Sequence, residues 1–188
     1  YLIVFLFKYS FTSWIAGFLL YTIGTVIILQ ASVIFSIVVI GFLTPMILRI
    51  LHKRYYSHLQ LHGYGTWFSP IWVLFKSSFM MIFLFVILIP VYFVPVLNII
   101  AFSIPFYYFF HKLLNFDVSS TILSAEQYKI IYEKEANNFR LRTLFLYFIS
   151  MIPFATLFTA VYYIIYLGHA YFVKLDELKK EEIELVSN

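Results

Sequence analysis

The sequence predicts an all-α integral membrane protein, built from long transmembrane helices, two proline-centred half-spanning helical hairpins and an amphipathic surface helix. Three observations carry this. Of the 188 residues, 63% are hydrophobic and 12% charged, where an ordinary soluble domain has roughly 25% charged. The apolar runs are continuous and do not alternate residue by residue, which excludes a transmembrane barrel. The run between Lys76 and Lys112 holds 35 residues without a formal charge; about 20 make one span, and two spans with a turn need upwards of about 42. A run of that length, interrupted by Pro90, Pro95 and Pro105, fits a re-entrant hairpin over residues 76–112 that dips into the bilayer, turns near Pro95 and leaves on the side it came from. Its turn must be shielded by protein or line a polar cavity.

Taken in order, residues 1–13 read as the end of a first span that stops at Lys8, with a polar turn of Tyr9, Ser10, Thr12 and Ser13 after it. The opening on Tyr1 reads as a fragment or processed form, and residues 1–7 show no signal-peptide pattern. Residues 14–51 carry no charge before Arg49 and as one helix would measure about 57 Å, well beyond a hydrocarbon core of roughly 30 Å. That helix is expected to tilt, to break near Gly41 and Pro45, or to project into water. Gly24, Thr25, Ala31, Ser32 and Ser36 let neighbouring helices approach closely. Arg49, His52, Lys53, Arg54, His58 and His62 then form a basic segment, suited to the cytoplasmic face and to anionic headgroups. His58 and His62, four apart, could share a helix face as metal ligands. No carboxylate stands near them in sequence, and no metal is expected.

Residues 124–142 open with the capping box Ser124-Ala125-Glu126-Gln127, in which serine and glutamine side chains satisfy free N–H groups at a helix start. Ala125, Tyr128, Tyr132, Ala136 and Phe139 make an apolar stripe, opposite Glu126, Lys129, Glu133, Lys134 and Arg140. This is an amphipathic helix lying on the bilayer or on the protein. Residues 143–173 form the last apolar run, in which Pro153 lies about 15 Å of helix beyond Arg142. The set Pro95, Asn98, His111 recurs at the same offsets as Pro153, Thr156, His169, so this run reads as a second re-entrant hairpin with Pro153 at its apex. Residues 174–188 read as a charged, fraying helical tail whose Leu175, Leu178, Ile183 and Val186 could dock elsewhere.

With both hairpins returning, twelve of the thirteen Lys and Arg residues lie on one face, which the positive-inside bias makes cytoplasmic. A formal charge of +4 in so apolar a chain points to membrane lipids as partners and not to nucleic acid. The absence of cysteine excludes disulfides and thiolate chemistry. No cofactor is expected. No apolar run carries the Asp pair, His-rich metal motif or Ser/His couple of an intramembrane enzyme, so an enzyme is not expected.

The segments Ile40-Gly41-Phe42-Leu43-Thr44-Pro45, Ile89-Pro90, Val94-Pro95-Val96-Leu97-Asn98 and Asn138-Phe139-Arg140, running into Ser150-Met151-Ile152-Pro153-Phe154, resemble the CysZ sulfate permease family. The same superfamily includes eukaryotic etoposide-induced membrane proteins. The likeness covers about residues 14–172. It implies long spanning helices with half-penetrating hairpins, a homo-oligomer, a multi-pass place in the bacterial inner (cytoplasmic) membrane, and uptake of sulfate or sulfite feeding cysteine synthesis. The family's Gly-Leu-Arg anion motif precedes the first long helix. Nothing in residues 1–14 matches it, so no residue here takes that role.

An oxyanion would then have to be met by other groups. The returning arm of each hairpin begins after its apical proline, so N–H groups around residues 96–98 and 154–156 would point into the bilayer midplane. Asn98 and Thr156 add side-chain donors there, and Arg140, Arg142, Lys76 or Lys112 would gather anions at the surface. The bland alternatives are that Asn98 and Thr156 only satisfy backbone groups freed by the prolines, and that the cations only meet lipid phosphates. At the level of the whole protein, the alternative to transport is a scaffold or regulatory protein that docks through its amphipathic helix and tail.

Overall fold

Inside a bilayer no water is available to bond the backbone, so an apolar run must close its hydrogen bonds within itself. The chain does this with helices. The computed structural model describes residues 2–66, 68–94, 97–152 and 155–187. Among them are α1 (Leu2–Tyr55), α2 (Ser69–Ile87), the single turn α3 (Ile89–Tyr92), α4 (Leu97–Ile122), α5 (Ala125–Ser150) and α6 (Ala155–Ser187), and no strand. Segments Ile27–Tyr55, Ser69–Ile87 and Leu97–Ile122 are long and apolar enough to cross a membrane. The protein is membrane-embedded and all-α.

The 54 residues of α1 make a rod of about 81 Å at 1.5 Å per residue. Neither expected interruption occurs. Residues 9–13, read as a polar turn, lie within α1, because hydroxyl side chains can bond backward to the helix itself. Thr25 does this to the Tyr21 carbonyl (2.9 Å) and Thr44 to that of Ile40 (2.7 Å). Pro45 sits inside α1 without ending it. The helix stops at Tyr55, which leaves His58 and His62 in a loop and off any common helix face. His58 bonds Asp176 (3.1 Å), a carboxylate that is distant in sequence and near in space.

Two helical hairpins pack against the lower half of α1. In the first, Phe85 of α2 meets Phe102 and Phe106 of α4 at ring distances of 5.6 and 5.2 Å, so the arms run antiparallel. The arms outrun the charge-free stretch: α2 starts at Ser69, with Pro70 in its first turn, and α4 continues to Ile122. Lys76 and Lys112 are therefore mid-helix residues. A helix ends where its backbone hydrogen bonds are capped and not where a formal charge appears. The second hairpin pairs α5 with α6, with Phe139 stacked on Tyr171 at 4.2 Å. Its first arm joins two segments that the sequence separates. The capping box forms as read, Ser124 accepting from the Gln127 N–H (3.2 Å) and Gln127 from that of Ser124 (2.9 Å), but the helix then runs unbroken from Ala125 to Ser150. The amphipathic helix is thus half of a hairpin arm, and its stripe turns onto protein from Tyr128 to Phe139, the last only 2% exposed, while Ala125 stays exposed.

The expected fraying tail is corrected as well. It is the continuation of α6, with Leu175 and Leu178 buried while Ile183 stays exposed. Lys174 bridges Glu135 and Lys134 bridges Glu181, each at 2.8 Å. These cross-helix pairs carry the hairpin past the apolar run. At the α1–α6 crossing Gly168 is buried against Leu48 and Leu51. Pro95 and Pro153, the expected apices, lie outside the described residues.

Candidate functional site

Helix α4 carries Ser103, Tyr107, His111, Asn115 and Ser119. Each is four residues from the next, so the five form one slowly winding polar file that covers about 24 Å of helix axis. All are buried or half-buried among the other helices. At the hairpin-tip end, the Tyr147 hydroxyl is shared between the Ser103 carbonyl (3.1 Å) and the Gln30 side-chain oxygen (3.2 Å). One turn on, the Tyr107 hydroxyl donates to the Arg140 carbonyl (2.8 Å). The His111 ring meets the Thr143 hydroxyl through Nδ1 (2.6 Å) and the Tyr132 hydroxyl through Nε2 (3.4 Å). Asn115 donates to the His111 carbonyl (2.8 Å) and accepts from the Tyr171 hydroxyl (2.7 Å). At the loop end, Ser119 bonds the Tyr64 hydroxyl (3.2 Å). Buried polar groups stay only where they find partners, and every member of this file has one.

Beside the loop end of the file, α2, α4, the start of α5 and the 64–66 loop line an open cavity of about 620 Å³. Lys76 reaches it from α2 and Lys112 from α4, between aromatic walls that include Tyr64, Phe68, Trp72 and Tyr128. Neither lysine forms an ion pair among the described residues. The Lys112 ammonium lies over the rings of Tyr132 and Tyr108, 5.3 and 5.9 Å from their centroids, and approaches the Tyr132 hydroxyl (3.5 Å). Since Tyr132 also meets His111, cavity and file share a contact. Burial raises the pKa of both Tyr64 and Tyr128, so their hydroxyls remain protonated near neutral pH. Two positive charges with protonated hydroxyls and no carboxylate in the lining suit an oxyanion.

The structure brings together Lys76 and Lys112 and leaves the other expected anion contacts apart. Arg142 lines a separate cleft between α5 and α6 with His169 and Lys174. Its Nε donates to Asn138 (2.9 Å) and its guanidinium covers the Tyr166 ring at 5.3 Å. Arg140 is exposed and donates to Asn137 (3.3 Å). Asn98 stands in the first turn of α4 with its N–H bonded to the Val94 carbonyl (3.1 Å), and the Ala155 N–H bonds that of Ile152 (3.2 Å). Those two N–H groups are not free for an anion. Thr156 belongs to α6, and its side chain lies outside the described residues. The polar file itself went unread in the sequence, although its signal was there. Ser103, Tyr107 and His111 stand at a spacing of four inside the charge-free run, and Asn115 and Ser119 carry the spacing past Lys112.

Residues 1–160 match the family model described as sulfate transporter CysZ/etoposide-induced protein 2.4. The chain belongs to this family. No curated protein and no solved structure matches it. Membership makes the chain a membrane protein of a transport family, and the CysZ/etoposide-induced assignment extends over α1 to α5 and the start of α6.

Proposed function

We propose that this protein takes up sulfate or a closely related oxyanion, with the Lys76–Lys112 cavity as the mouth of the route and the α4 file as its polar lining. The carrying observation is the join between the two: Lys112 and His111 meet the same Tyr132 hydroxyl, at 3.5 and 3.4 Å. The file runs about 24 Å along α4, from the loop end beside the cavity toward the hairpin tip.

The re-entrant reading of both hairpins belongs to this proposal. Ser32 of α1 bonds the Ser150 carbonyl near the second tip (3.0 Å), yet α1 extends beyond that level to Leu2. A bilayer that covers the charge-free stretch of α1 on both sides of Ser32 encloses the hairpin tips, and half-spanning hairpins near a substrate are a recurrent transporter device. A homo-oligomer in a bacterial inner membrane completes the reading, on the strength of the family.

The test is uptake of radiolabelled sulfate by liposomes holding the full-length protein. Accumulation well above that of empty vesicles is expected. Uptake no faster than in empty vesicles would overturn the reading in favour of a scaffold.

A further inference from the structure

Inorganic sulfate leaves the Lys76–Lys112 cavity mostly unfilled. A five-atom oxyanion displaces about two or three waters, each with about 30 Å³ of liquid volume, whereas the cavity measures about 620 Å³. That is the size of sites that hold drug-sized ligands, about 300–1,000 Å³. The rest of its lining is aromatic. Phe68 is 79% exposed and Trp72 67%, and both face this space together with Tyr64, Phe116 and Tyr128. The rings meet at open angles, Tyr64 on Phe116 at 80° and on Tyr128 at 34°, which offers both faces and edges to a flat guest. Trp72 and Lys76 are four apart on α2, so indole and ammonium emerge side by side. Lys112 faces them from α4, held against its two tyrosine rings.

A hydrated inorganic anion gains nothing from such walls. We propose that the cavity takes an aromatic sulfate ester or sulfonate, with its oxyanion head on Lys76 and Lys112 and its ring against Trp72 and Phe68. The proposal rests on the transport reading above and names the substrate class of the same site. An oxyanion on an apolar body could also be a lipid headgroup. The Thr66, Ser69 and Ala125 rim, however, lies where the polar loops meet, and that favours a guest from water.

The experiment uses full-length protein in phosphatidylcholine vesicles. In competition with labelled sulfate, 4-nitrophenyl sulfate should inhibit uptake at least about tenfold more strongly than methyl sulfate, a factor worth about 1.4 kcal/mol. Trp72→Ala should bring that ratio close to one, and Trp72→Phe should restore most of it, which separates loss of the ring from misfolding. Equal potency of the two esters, with sulfate uptake intact, overturns the aromatic class and leaves the transport reading standing. If no sulfate enters but 4-nitrophenyl sulfate binds in equilibrium dialysis with the same dependence on Trp72, the transport reading falls and the aromatic oxyanion site stands. Loss of that binding on adding phosphatidylglycerol would identify a lipid as the occupant and overturn the proposal.

Discussion

His111 Nδ1 lies 2.6 Å from the hydroxyl oxygen of Thr143 and 3.0 Å from the side-chain nitrogen of Asn115. The Thr143 hydroxyl also lies 2.9 Å from the Phe139 carbonyl, so one polar knot ties α4 to α5. Thr143→Val keeps the shape and removes the hydroxyl, which takes a hydrogen-bond partner from the buried His111 ring. The expected loss is about 1–2 kcal/mol, as for polar contacts between membrane helices, read by unfolding in detergent. Adding His111→Phe should cost less than the two changes made separately, because the stranded ring nitrogen goes as well. Full additivity would show that the two side chains are not coupled.

Gly168 tests the α1–α6 crossing. A Cβ there would stand 2.6 Å from Leu48 Cδ2 and 3.1 Å from Leu51 Cδ2, and Leu48 has no exposed surface into which it could turn. Gly168→Val should therefore destabilise by about 1–3 kcal/mol through overpacking. Leu48→Ala, itself a cavity mutation, should recover part of the loss when combined with it. A thermal melt of Gly168→Val equal to that of the wild type would refute the close approach.

The pH dependence of the α5–α6 extension follows from its ion pairs. The hydrogen bond from Lys174, then that from Asn138, holds Glu135 below its ordinary 4.5. Hydrogen bonds to Glu135 and Glu177 raise Lys174 above its ordinary 10.5. A lowered carboxylate contributes fully above its unfolded value and loses that contribution as pH falls through the folded one. A raised ammonium contributes fully below its unfolded value and loses it as pH rises through the folded one. Stability from this pair should be flat between about 4.5 and about 10.5 and decline on both sides. Glu135→Gln should flatten the acid limb in melts recorded across pH. An unchanged acid limb would mean the bridge contributes nothing in solution.

Topology can be read with single cysteines in a cysteine-free background. Ser57, Ala125 and Glu182 are exposed and lie in or beside the polar loops and the charged end of α6. Cysteines there should react with an impermeant thiol reagent from one side of the membrane, and Thr12→Cys, toward the far end of α1, from the other. Ser119 is a poor reporter because it is fully buried. Labelling of Glu182→Cys from the same side as Thr12→Cys would rule out the return of the second hairpin.

What could be read from residues alone was whatever has a period or a length. The charge-free run between Lys76 and Lys112 falls within the helix pair α2 and α4, and the offsets from Pro153 to His169 fall across the join of α5 and α6. In the structure His111 and His169 each stand fourteen positions beyond the first residue of their returning arms, Leu97 and Ala155. Helix ends were harder, because Lys76, Lys112 and Lys174 look like boundaries to a count of charges, yet a helix runs through each until its hydrogen bonds are capped. Contacts distant in sequence were not legible at all. Nothing local places Asp176 beside His58, or Tyr132 between Lys112 and His111.

The two lysines of the cavity should differ in weight, although they carry the same charge. Lys112 is half-buried and lies over two rings, while Lys76 is exposed. Interactions of exposed charges are screened by salt far more than those of partly buried ones. Lys112→Gln should raise the apparent KM for sulfate uptake about tenfold, the scale of one lost charge-assisted hydrogen bond, and Lys112→Arg should keep most of the activity. Lys76→Gln should raise it about twofold at low ionic strength and less as salt is added. KM values from uptake measured at two ionic strengths decide the matter. Equal, salt-sensitive effects of the two glutamine variants would place both lysines at the membrane surface and move the anion route elsewhere.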